Sequence, residues 1–124
     1  MITIGLAHTS KMVVTEAMTA KNMGSGDMPV LASPAMIALM ENAALLAVGN
    51  ELEAGLTTVG GQMSCSHLRP TKIGDTVSAT ATVTKVEGKK IEFHVEAHCK
   101  NQLLGEGSHL RFIVDRKKFL ERMD

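Results

Sequence analysis

Polar and apolar residues alternate most strictly in two stretches, Thr76-Val77-Ser78-Ala79-Thr80-Ala81-Thr82-Val83 and Ile91-Glu92-Phe93-His94-Val95-Glu96-Ala97-His98-Cys99. A period of two sends successive side chains to opposite faces, so each stretch predicts a strand with one buried face. The Gly-containing link Glu87-Gly88-Lys89 predicts that the two pair as an antiparallel hairpin. Residues 8–17 read as an earlier strand, with Met12 and Val14 on one face and Val13 on the other. In a further strand at 57–68, Gly61, Met63, Cys65 and His67 share one face while Gln62, Ser64 and Ser66 share the other. Residues 103–114 make the last strand, where Gly105 and Gly107 permit a bulge or a close approach of backbone.

The alternation is interrupted by residues 33–48, which are apolar on every side except at Glu41 and Asn42. Ser33 can cap a helix there, Pro34 suits its first position and Gly49 stops it, giving about four turns. A helix of that composition belongs inside a fold. Its lone carboxylate must then be paired, be protonated or line a cavity, because an unpaired buried charge is costly. Ahead of the helix, residues 18–32 include the Gly-rich run Asn22-Met23-Gly24-Ser25-Gly26-Asp27-Met28-Pro29, which serves either as a lid over a site or as a plain connection. Residues 51–55 are a polar connection, 69–75 a loop, and 117–123 a short amphipathic ending that reads as a helical turn. The expected order is strand, long loop, apolar helix, then four strands in meander. This is an α+β fold in which a curled antiparallel sheet of about five strands wraps one central helix. A homodimer joining two sheets edge to edge would cover the rest of the helix.

At 124 residues with no repeat or composition boundary, the chain is read as a single domain, 1–124. Thirteen basic residues balance thirteen acidic ones, which argues against nucleic-acid or membrane-surface binding by bulk charge. With no Trp or Tyr and only three Phe, a base-stacking platform is excluded as well. Met1-Ile2-Thr3-Ile4-Gly5-Leu6 lacks the basic start of a signal peptide, and no apolar run approaches the roughly 20 residues of a membrane span, so a cytoplasmic location is expected. Cys65 and Cys99 form no CxxC and read as reduced core thiols. His94 and His98 fall on the polar face of their strand, and His8 and His109 near strand ends, so all four are expected at the surface and none in a metal site.

The candidate chemistry rests on Glu41 and His67, each an ionisable group pointing into an apolar layer. Gly60-Gly61 would let a substrate approach backbone donors. Plainer readings exist: Ser33 as a cap only, Glu41 as a structural acid, His67 as a satisfied core histidine. Ser33 and Glu41 stand eight residues apart, about 12 Å of helical rise, so they cannot bond directly within one straight helix. Either a substrate spans that gap or the parts meet across a dimer interface, with helix and facing strand from different subunits.

Pro29-Val30-Leu31-Ala32-Ser33-Pro34-Ala35-Met36 through Glu41-Asn42-Ala43-Ala44, with Thr58-Val59-Gly60-Gly61, His67-Leu68-Arg69-Pro70-Thr71 and Gly74-Asp75-Thr76-Val77, resembles the hotdog-fold acyl-CoA thioesterases, and within them the fluoroacetyl-CoA thioesterase group. The resemblance covers nearly the whole chain, and the spacing of Ser33, Glu41 and His67 is its specific part. It implies a helix wrapped by a sheet, a homodimer or a dimer of dimers, an acyl-CoA substrate, and no metal or redox cofactor. It also implies a triad, with Ser33 in the hydroxyl place, Glu41 as nucleophile or general base, and His67 as proton shuttle. Gly60 and Gly61 match the stretch whose N–H groups bind the thioester carbonyl. Ser33 stands where Thr is commoner, and the lid-like stretch has no Phe where an aromatic gate is implied, which points to a small acyl group other than fluoroacetyl. Two rivals share these residues: a hydratase or dehydratase acting on acyl thioesters, and a non-catalytic acyl-CoA binding module.

Overall fold

The computed structural model describes residues 1–123. In chain order it holds β1 (Ala7–Val13), a 3₁₀ turn at Glu16–Met18, α1 (Ala20–Met23), α2 (Ser33–Gly49), β2 (Leu56–Cys65), β3 (Thr76–Glu87), β4 (Lys90–Cys99), β5 (Gln102–Asp115) and α3 (Arg116–Glu121). The two alternating stretches became β3 and β4: Val77, Ala79, Ala81, Val83, Ile91, Phe93, Val95 and Ala97 are at most 1% exposed and form one apolar face. Against it lie Met36, Met40, Ala43, Ala44 and Val48 of α2, all fully buried. Small residues at 79, 81 and 97 let the helix settle close to the sheet, while Phe93 and the methionines fill the space around it.

All strands are antiparallel, in the order β1-β3-β4-β5-β2. This corrects the expected four-strand meander, because β2 pairs with β5 and not with the β3 that follows it. Tight turns dictate the true meander. Gly88 (φ 62°) closes β3–β4, and Lys100 and Asn101 (φ 51° and 65°) close β4–β5 with a two-residue turn whose twist matches the strands. The longer 66–75 connection leaves β2 free to run to the far edge, and β1 fills the place beside β3. The 18–32 segment holds only one helical turn, α1, begun by the Thr19 side chain accepting from the Asn22 N–H and ended at Gly24 with φ 80°.

One expectation about the central helix is corrected. The N-cap residue is Ala32, which has no side chain to offer, and Ser33 is the first residue of the helix proper, so its hydroxyl is released from capping. The sheet leaves one side of α2 uncovered, in line with the expectation that the helix needs a second cover: Ser33, Pro34, Ala38, Asn42 and Leu46 form an exposed stripe, with Leu46 47% exposed. No helix among the described residues is long and apolar enough to cross a membrane.

Both options left open above are realised: the β4–β5 register slips at Leu104 beside Gly105, and Gly105 and Gly107 mark a close approach of backbones. A β-carbon at Gly107 would collide with the Ser64 carbonyl oxygen and the Cys65 backbone, and one at Gly105 with the Ser66 carbonyl oxygen. Gly107→Ala is expected to destabilise the fold by about 1–3 kcal/mol, because backbone cannot yield as a flexible side chain can. A lowered urea midpoint would register the loss, and an unchanged midpoint would contradict it.

Candidate active site

Beyond Cys65 the chain stays extended alongside β5, with the Ser66 N–H bonded to the Glu106 carbonyl at 2.9 Å and the Leu68 N–H to the Leu104 carbonyl at 2.6 Å. His67, between them, therefore has a fixed backbone. The Leu31 N–H donates to the Thr71 carbonyl at 2.8 Å, which ties the start of α2 to the segment after His67. The result is a short contact between Ser33 Oγ and His67 Nδ1, 2.6 Å apart within the same chain. A cleft of about 290 Å³ opens on this pair, bordered also by Ala20, Leu31, Leu68 and Arg69.

Burial pushes the His67 imidazole below its usual range, with the backbone at Arg69 partly opposing. The cause is visible at Nε2, which is buried and has no hydrogen-bond partner among the described residues. Taking the charged ring out of water is costly, so the neutral form is favoured, and with Nδ1 facing the hydroxyl as acceptor the proton of that neutral ring sits on Nε2. A neutral imidazole held against a hydroxyl is equipped to take a proton from it.

Glu41 occupies a separate place. It lies about 12 Å along α2 from Ser33, and the imidazole beside it in the same chain is His109. A β-carbon on Gly60 would fall 2.9 Å from Glu41 Oε2, 3.4 Å from His109 Cε1 and 3.6 Å from Arg111 Nη1, so the missing side chain at Gly60 leaves the room in which these three groups converge. Arg111 is 7% exposed and firmly aimed: its Nε donates to Thr58 Oγ1 at 2.8 Å and its Nη2 to the Thr58 carbonyl at 2.9 Å. His109 Nδ1 donates to the Gln62 carbonyl at 2.8 Å, which leaves Nε2 to accept from Arg111 Nη1 at 3.2 Å. Both contacts call for a neutral ring. Accordingly burial lowers the His109 pKa, helped by the Arg111 charge and opposed by the Gln62 backbone and Glu41.

The β2–β5 register slips between Gly60 and Gln62, so Gly61 has no partner across the ladder. This bulge frees backbone from the sheet beside Glu41. A side chain at Gly61 would strike the Phe112 ring, 2.5 Å from the added β-carbon.

Each chain thus presents Ser33 with His67 at one end of α2, and Glu41 with Gly60, His109 and Arg111 further along it. The expected surface position of His109 is corrected: it is 2% exposed. His109 and Arg111 were the residues the sequence reading passed over. Their signal was the period of two that runs through Gly105, Gly107, His109, Arg111 and Ile113 and places all of them on one face. Cys99 is buried, Cys65 half-buried, and both are free thiols.

Residues 14–117 match the family described as fluoroacetyl-CoA-specific thioesterase. The chain belongs to that family. The fluoroacetyl-CoA thioesterase of Streptantibioticus cattleyicolor is 34% identical over 90 residues, which span 73% of this chain and 65% of that protein, just under two thirds of its length. A threonine-to-serine variant of a fluoroacetyl-CoA thioesterase, solved in complex with acetyl-CoA, superposes with a TM-score of 0.93 at 29% identity, covering 98% of this chain and 96% of the other. A hot-dog-like protein from Thermanaerovibrio acidaminovorans shares the fold, with a TM-score of 0.87 at 22% identity over 97% of this chain and 89% of its own. The curled five-stranded sheet with its helix α2 is a hotdog fold.

Proposed function

We propose that this chain hydrolyses small acyl-CoA thioesters to the free acid and CoA, in the cytoplasm, as a homodimer. Ser33, Glu41 and His67 are its catalytic residues, and Gly60 and Gly61 hold the carbonyl oxygen. The observation that carries the reading is the 2.6 Å contact between Ser33 Oγ and a neutral His67 at the mouth of a small cleft. A sequence that used Ser33 merely to cap α2 would have turned that hydroxyl to the backbone. In the reaction the thioester carbonyl carbon is attacked either by a water that Glu41 deprotonates or by the Glu41 carboxylate itself, giving an anhydride that water then opens; the C–S bond breaks, and the leaving sulfur takes its proton through His67. Charge gathers on the carbonyl oxygen in that attack, and backbone N–H groups at the Gly60-Gly61 bulge and the Arg111 cation nearby are suited to offset it. Arg69, on the rim of the cleft, suits a CoA phosphate.

The homodimer is supported by three features. β2 is an edge strand, α2 keeps an exposed stripe containing Leu46, and Glu41 does not meet His67 within one chain. A two-fold axis beside β2 would continue the sheet, cover the stripe and bring Glu41 of one protomer toward Ser33 and His67 of its partner.

The absence of Phe from residues 18–32, whose Ala20 and Ser25 border the cleft, supports a small acyl group other than fluoroacetyl as substrate. Product analysis on acetyl-CoA tests the reaction type. Free acetate and free CoA in equal amounts support hydrolysis. An untouched saturated thioester, with water added only to a 2,3-unsaturated one, would mean a hydratase, and tight binding without turnover a binding module.

The reading also sets a pH dependence. His67 must be neutral to accept a proton, and burial lowers its pKa, so kcat/KM should fall on acidification with a midpoint below the ordinary imidazole value of about 6.5. A midpoint above that value would contradict a buried neutral base.

A further inference from the structure

On the sheet face turned away from α2, β4 carries His94, Glu96 and His98 at alternate positions, and the β4–β5 register sets Glu106 directly across from Glu96. We infer that His94, Glu96 and Glu106, with His98 as a fourth ligand, form a binding site for a divalent transition-metal ion of the zinc type. This site is separate from the cleft at Ser33 and plays no part in hydrolysis. One ligand atom each from His94, Glu96 and Glu106 already lies within 4.8 Å of the others. His94 Nε2 stands 3.0 Å from Glu96 Oε1, and His98 Nε2 stands 3.9 Å from Glu96 Oε2. An ion about 2.0–2.2 Å from each donor needs neighbouring donors little more than 3 Å apart, so His94, Glu96 and Glu106 need only side-chain adjustment to close on it, with His98 joining from the Glu96 side.

Charge points the same way. Two carboxylates directly opposite on a sheet repel each other, and among the described residues neither Glu96 nor Glu106 has a Lys or Arg partner. The residues across from this group on the neighbouring strands, Thr80, Thr82, Leu103 and Ser108, carry no charge. The imidazoles stand closest to the acids, while Lys11 and Lys100 lie beyond His98 and Lys100 is paired with Asp75. Imidazole with carboxylate is a donor set that favours zinc-type ions over calcium or magnesium. Spacing along the sequence gives no reason to expect a metal site at His94 or His98, because Glu106 is brought to them only by the hairpin register.

The test is calorimetric titration of untagged wild-type protein with ZnCl₂, beside the double variant His94→Ala/Glu106→Gln, the milder Glu96→Gln, and a Cys65→Ser/His67→Ala control. Saturation at one ion per chain, with the apparent affinity at least about tenfold weaker in the double variant and in Glu96→Gln but kept in the control, is the expected result. The wild type's unfolding temperature should rise with Zn²⁺ and that of the double variant should not. No saturable uptake by the wild type, equal affinity in the double variant, or loss of binding in the control would each overturn the assignment.

Discussion

Replacing His67 by alanine is expected to lower kcat/KM on a small acyl-CoA by about 10²–10⁴-fold, the span typical of a positioned acid–base group. The fall should lie mostly in kcat, because the imidazole contacts a hydroxyl and not the bulk of CoA. The acid limb of the pH profile should vanish with it. Stability should change little, since His67 Nε2 already lacks a partner and the exposed Ser33 hydroxyl can bond water instead. Ser33 supplies the internal control: Ser33→Thr keeps the hydroxyl and should keep activity, whereas Ser33→Ala should lose most of it. Equal kcat/KM in wild type and His67→Ala would remove the imidazole from the mechanism.

Glu41→Gln is expected to be as damaging, and mixing experiments tell where the acid acts. Glu41→Gln and His67→Ala proteins should each be nearly inactive alone. If a site draws Glu41 from one protomer and His67 from its partner, unfolding and refolding an equal mixture restores one intact site in each mixed dimer, roughly a quarter of the wild-type activity per chain. If each chain supplied its own complete site, every site would carry a lesion and the mixture would stay inactive. The separation seen within one chain, with Glu41 beside Gly60 and Arg111 while His67 contacts Ser33, favours recovery. Rapid-quench mass measurement during a single turnover then looks for acyl-Glu41, whose mass exceeds the free chain by the acyl group: direct attack by the carboxylate passes through that anhydride, whereas activation of water does not.

What could be read from the residues was whatever depends on neighbours in the chain. The strict alternation in β3 and β4 reports burial of one face, and the apolar run of α2 reports a helix packed on that face. The partner of β2 was misjudged because strand pairing across 66–75 depends on contacts distant in sequence, and a loop that long imposes no neighbour. Ser33 read as a cap because Ser-Pro at a helix start has that local meaning, yet the tie from Leu31 to Thr71 brings His67 within reach and redirects the hydroxyl. His109 and Arg111 went unnoticed because polar residues near a strand end suggest solvent. Their burial becomes tolerable only through Thr58, Gln62 and the Gly60 opening, all contributed by another strand.

The most direct measurement is a crystal structure with an acyl-CoA analogue whose sulfur is replaced by methylene. The carbonyl carbon should lie about 3–3.5 Å from Ser33 Oγ or from a water held between Ser33 and His67, with the carbonyl oxygen facing the Gly60-Gly61 backbone of either protomer. An acyl group seated elsewhere, with Ser33 and His67 still bonded to each other and facing only solvent, would contradict the account.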